Sequence, residues 1–146
     1  MKKILFLFLV AGLLYACKKD KIGSKPILSF KGYTADSVTN TTQQLGVIMN
    51  VRDGDGDIED SLWIAVRYRN SGTSDTLYTI KQMGSIGANK GNSVNADVYI
   101  NLLPTQFKIS HPFIADDSIH FVVFIKDNAG NFSDTIGTRG IPYNAQ

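Results

Sequence analysis

Ile119-His120-Phe121-Val122-Val123-Phe124-Ile125-Lys126, running into Asp127-Asn128-Ala129-Gly130-Asn131, is the stretch on which the fold turns. β-Branched and aromatic residues halted by a cluster of Asp, Asn and Gly predict a strand and a tight turn. The run is strongly apolar, which predicts a central strand. Ile119, Phe121, Val123 and Ile125 share one face, and His120 lies on the other.

The same signal recurs outward from this strand. Period-2 runs at residues 27–33, 44–52, 62–69, 76–83, 94–103 and 132–141 bring the predicted strands to seven. Leu45, Val47, Met49 and Val51 share a face of the second, and Leu62, Ile64, Val66 and Tyr68 alternate with Trp63, Ala65 and Arg67 in the third. No segment has helical periodicity, although the connection at 104–118 has room for one short turn of helix. Composition agrees: Glu59 is the sole glutamate, while Thr, Ser, Asn, Ile and Val abound.

Seven short strands with no helix between them predict an all-β fold, a seven-strand immunoglobulin-like or fibronectin type III-like sandwich. An up-and-down barrel and a jelly roll are the alternatives. Residues 125–133 resemble the final hairpin of many bacterial immunoglobulin-like domains, a likeness confined to that hairpin. The Cys–Trp–Cys core signature of antibody domains is missing, so Trp63 is open to either a central or an outward position.

The chain of 146 residues opens with Lys2 and Lys3, then an uncharged run from Ile4 to Ala16. That run is shorter than the ~20 residues a spanning helix needs and fits the apolar core of a secretory signal. Leu14-Tyr15-Ala16-Cys17 resembles the lipobox of bacterial lipoproteins, in which the cysteine is acylated and becomes the first mature residue. Tyr15 is bulkier than usual at its position, and an ordinary signal peptide is the competing reading. Cys17 is the only cysteine, so acylation would also remove an exposed thiol, and the domain has no disulfide. Lys18 after the cysteine implies, by the same resemblance, sorting to a Gram-negative outer membrane. The Cys-Lys-Lys-Asp start is similar to lipoproteins of the Bacteroidetes. The expected organisation is a signal peptide at 1–16, a lipidated tether at 17–25 and a β-sandwich at 26–146.

Without residues 1–16, the chain carries 13 basic and 13 acidic residues. No basic stripe suggests nucleic acid.

The sharpest local feature is Asp53-Gly54-Asp55-Gly56-Asp57-Ile58-Glu59-Asp60, with five carboxylates in eight residues. Alternating Asp and Gly let a tight loop fold oxygen ligands around a hard cation such as Ca²⁺. The spacing begins like an EF-hand and then departs, with Ile58 where glycine is needed and Ile64 where the bidentate Glu is needed. In an immunoglobulin-like topology, the turn at 127–131 lies at the same end. The expected calcium ligands are therefore Asp53, Asp55 and Asp57, with Asp127 as a fourth and Glu59 or Asp60 in reserve. The first strand begins at that end too, so the tether should enter beside the site. The competing reading is a solvated turn. The lipobox, the opening at 26–30 and this loop together resemble small Bacteroidetes lipoproteins of no established activity.

Catalysis has little support. His111 and His120 are the only histidines and are not spaced for zinc. Asp116-Asp117 reads as a solvated turn rather than a glycosidase pair, and no nucleophile elbow or phosphate loop occurs. Trp63, Tyr68, Tyr78 and Tyr99 could form a sugar-stacking surface or belong to the core. The loop at 84–93 is another candidate contact surface. The reading is thus a non-catalytic binding or scaffold module on the outer membrane, with a glycan or protein partner. A glycan-binding accessory lipoprotein and, more weakly, a hydrolase are the alternatives. An uncovered apolar patch would favour a protein partner.

Overall fold

The computed structural model describes residues 22–68, 78–85, 91–107 and 117–144. The signal segment, Cys17, the tether up to residue 21, the turn at 70–72, His111 and Asp116 lie outside these.

The described chain is mostly β and forms two sheets. Its strands are β1 (Ile27–Tyr33), β2 (Val38–Thr39), β3 (Leu45–Asp53), β4 (Ser61–Tyr68), β5 (Thr79–Gln82), β6 (Val94–Leu102), β7 (Asp117–Lys126), β8 (Ile136–Gly137) and β9 (Ile141–Asn144). One sheet has the order β1-β3-β6. The other has the order β2-β9-β7-β4-β5, with β8 also on β7, and curls into a half-barrel. All pairings are antiparallel except β2 with β9.

Period-2 alternation builds the core. Leu45, Val47, Met49 and Val51 of β3 are fully buried, as are Ile119, Phe121, Val123 and Ile125 of β7. Leu62 and Ile64 of β4 join them, so the two sheets meet through inward side chains. In β1 the register against β3 shifts between Phe30 and Gly32. This bulge reverses the alternation, so Leu28 and Phe30 pack inward before it and Tyr33 after it, where Tyr33 meets Phe121 at 6.1 Å. One helical turn, α1 (Pro104–Phe107), follows β6. Its Gln106 side chain accepts from the Leu103 amide (3.0 Å), capping the turn as Phe107 plugs the core.

The last predicted strand needs correction. Residues 132–141 hold a single bridge at Phe132, the two-residue β8 and the first residue of β9. The cause is side-chain competition. Ser133 Oγ bonds the Ile125 amide (3.0 Å) and Thr138 Oγ1 bonds the Phe121 amide (2.8 Å). Hydroxyls thus occupy β7 donors that a continuous strand would use. β2 was not foreseen.

Candidate metal centre

Asp53 is the last residue of β3 and continues the inward parity of Leu45 through Val51. It is fully buried, and Asp57 is 8% exposed. The Oδ2 of Asp53 accepts from the amides of Gly56 (2.7 Å) and Asp57 (3.2 Å) and so folds the loop back on itself. Gly56 has φ +70°, which suits glycine at the tip. Ile58 is fully buried and anchors the far side of the loop.

This folding brings one oxygen each from Asp53, Asp55 and Asp57 within 4.8 Å of one another. The Oδ1 atoms of all three are buried and have no hydrogen-bond partner. Buried carboxylate oxygens without a donor are costly if ionised. Burial pushes the Asp53 carboxyl above its usual range, and the close approach of the Asp55 carboxyl raises it further. Burial likewise raises Asp57, followed by the negative charges of Asp127 and Asp55. The cluster could hold a metal ion, to which it offers one carboxylate oxygen from each of the three aspartates.

Neighbouring segments grip the loop through its backbone. Gly91 donates to the Asp55 carbonyl (2.6 Å) and Asn128 to the Asp57 carbonyl (2.8 Å). A Cβ at Gly54 would lie 2.0 Å from the Ile22 carbonyl oxygen and 2.6 Å from that of Gly23. The start of the described chain therefore lies against the acidic loop, and only glycine admits it there.

The other expected ligands sit differently. Asp127 is fully buried at the same end, but its two carboxylate oxygens accept from the Asn131 amide (2.7 Å) and the Asn131 side chain (2.8 Å). It organises the hairpin turn and lies outside the three-carboxylate group. Asp60 accepts from Ser61 Oγ (2.5 Å) and pairs with Lys126 (3.0 Å), and both contacts hold its carboxyl below the usual range. Glu59 accepts from Ser85 (3.0 Å).

His120 is half-buried opposite the core face, across from Arg67. Trp63 lies on the outer face of its sheet, stacked on Phe124 (centroids 5.0 Å, 8° between planes). Phe132 and Tyr78 pack against this pair, and Ile80 lies beside it, 63% exposed. Because Trp63 and Phe124 turn their faces to each other, they do not make the coplanar platform a sugar ring needs. Tyr99 is exposed on the other sheet. A cleft of about 250 Å³ between β5 and β6 is lined by Leu62, Lys81, Met83, Val98 and Ile100, with no carboxylate among its lining residues.

The pKa shifts carry a prediction for the metal-free protein. Because Asp53 and Asp57 are raised in the folded state, their protonation contributes stability that is fully present below the unfolded value. It is lost as pH rises through the raised folded values. Asp60 and Asp97 are lowered and act in the opposite sense, in a separate window below the ordinary carboxylate value. In chelator, the melting temperature should therefore fall as pH rises from the ordinary carboxylate value through the raised folded values, against the opposite trend of His120, which burial holds below the usual imidazole value. With saturating calcium the fall should vanish, since metal ligation requires deprotonated ligands. Equal profiles with and without the ion would contradict this.

Fold and loop together define a mostly β, two-sheet protein with a buried acidic cluster. No family model matches the sequence, and no curated protein matches it. Among solved structures the chain is distantly similar to Spo0M, the sporulation control protein from Bacillus subtilis. Identity is 11% and the TM-score 0.43, with 84% of this chain and 50% of that chain covered. The chain thus spans half the length of that protein.

Proposed function

We propose that this protein is a non-catalytic binding or scaffold module, lipidated at Cys17 and carried on the outer membrane, whose acidic loop is stiffened by one structural Ca²⁺. The observation that carries the metal reading is the set of three buried, unpartnered carboxylate oxygens on Asp53, Asp55 and Asp57. Calcium suits them best, because the ligands are oxygens alone and six to eight oxygens at 2.3–2.6 Å are what it takes. Oxygens at that radius stand at most about 5.2 Å apart, and those of the three aspartates lie within 4.8 Å of one another.

The immunoglobulin-like or fibronectin type III-like reading is supported by strand order. β1, β3 and β6 in one sheet against β5, β4, β7 and β9 in the other correspond to the distribution of such sandwiches. The membrane reading rests on the lipobox. Five residue steps from Cys17 to Ile22 reach about 17 Å at most, so the acidic end of the domain would face the bilayer. The exposed aromatic strip around Trp63 favours a protein partner over a glycan, because its rings stack on one another.

Metabolic labelling with palmitate should mark the protein and be lost in Cys17→Ser, and calorimetry of the purified protein should give a calcium-binding heat. Absent labelling would overturn the anchor. No heat at millimolar Ca²⁺, with no rise in melting temperature, would overturn the ion.

A further inference from the structure

We propose that the cation of the acidic loop is a clasp on Ile22–Lys25, so that calcium occupancy fixes the direction in which the chain leaves the domain towards its N-terminus. The inference rests on the metal reading above and adds to it the segment that the ion controls.

The segment from Ile22 to Lys25 lies along this end of the molecule. The carbonyl oxygens of Ile22 and Gly23 occupy the space that a Cβ on Gly54 would fill, the oxygen of Ile22 standing closer to it than its carbon. The Ser24 carbonyl accepts from the Asn131 side chain (3.3 Å), and that side chain also donates to Asp127. Lys25 Nζ pairs with Asp134 (2.6 Å). Pro26 is then buried and β1 begins.

The electrostatics of this docking are one-sided. Two carbonyl dipoles present their negative ends to a loop bearing three carboxylates, an adverse arrangement at neutral pH unless a cation stands among them. Main-chain carbonyls are also ordinary calcium ligands. Calcium therefore turns a repulsive approach into an attractive one, and docking of the segment strengthens calcium binding by the same factor. Without the ion, Asn131 and the exposed Lys25–Asp134 pair are weak restraints.

Hydrogen exchange of the full chain in mild detergent, read on peptides covering residues 22–26 in calcium or in chelator, tests the clasp alongside calorimetry in the same buffer. Calcium should slow exchange of the 23–25 amides about tenfold. Gly54→Ala, which displaces the two carbonyls, should abolish that protection while weakening calcium binding. Asp134→Ala alters only an exposed pair and is expected to fold; it should weaken calcium about twofold through the linkage. Calcium heat with unchanged exchange at 23–25, or unchanged affinity in Asp134→Ala, overturns the clasp and leaves the metal site standing. Absence of any calcium heat overturns both.

Discussion

Asp53→Asn should raise the melting temperature of the calcium-free protein and remove the increase that calcium gives the wild type. Asp53 has two jobs on its two oxygens. Oδ2 accepts from Gly56 and Asp57, and Oδ1 lies buried and unpartnered beside Asp55 and Asp57. An amide keeps a carbonyl oxygen for the first job, deletes the buried charge and offers N–H donors towards Asp55. The loop should hold its shape, with its like-charge strain reduced by a few degrees' worth of stability. For the wild type, calcium at about 100 times its Kd adds ~2.7 kcal/mol. In a domain of this size that is about 10 °C. The variant should lose most of that increment. Asp53→Ala is the control: it also strips the acceptor from the two amides, so it should destabilise by about 1–2 kcal/mol with or without calcium. An Asp53→Asn protein that melts lower in chelator, or that keeps the full calcium increment, would show that this carboxylate is no ligand.

Much of this site was legible in the chain. β3 alternates Leu45, Val47, Met49 and Val51 inward, and the next step of the same parity is Asp53. β7 alternates Ile119, Phe121, Val123 and Ile125 inward, and its next step is Asp127. Both aspartates are fully buried because a strand's period does not stop where its apolar residues do. The topology that brings them to one end followed from strand order. What Asp127 does there did not, because its partner Asn131 is set by the turn. Glu59 and Asp60 were equally unreadable as ligands, since Ser85 and Lys126 draw them away from parts of the chain with no sequence relation to the loop.

The docking of residues 22–25 was hidden for a different reason. A polar, lysine-rich stretch reads as a tether, and its contacts with the domain are largely through backbone carbonyls, which carry no residue signature. Gly54 gave the only trace: its place in an Asp-Gly repeat suggests turn freedom, whereas its role is to leave room for another backbone. Trp63 was ambiguous until the inward parity of β4 was fixed by Leu62 and Ile64. The break in 132–141 arises from Ser133 and Thr138 hydroxyls, which alternation does not weigh.

The largest loss of stability is expected from Phe121→Ala, and its contrast with Phe124→Ala tests the assignment of faces on β7. Phe121 is fully buried, meets Tyr33 at 6.1 Å and donates its amide to Thr138. Truncating a buried phenylalanine costs about 3–5 kcal/mol. Against a total stability of roughly 5–15 kcal/mol, the melting temperature should drop by about 15 °C. Phe124, three residues on, is half-buried on the outer face, where it stacks on Trp63 and touches Phe132. Its truncation opens to solvent rather than to a closed cavity and should cost about 1–2 kcal/mol. Equal losses, or a larger one at Phe124, would mean that the sheets meet through the other face. The same variant also separates core from site. Phe121 lies six residues before Asp127, about 20 Å along the extended chain. Its cost and the calcium increment should therefore add. The increment should survive nearly whole in Phe121→Ala, provided the ion stiffens one end of the sandwich; an increment that shrank with the core would make calcium a ligand of the global fold instead.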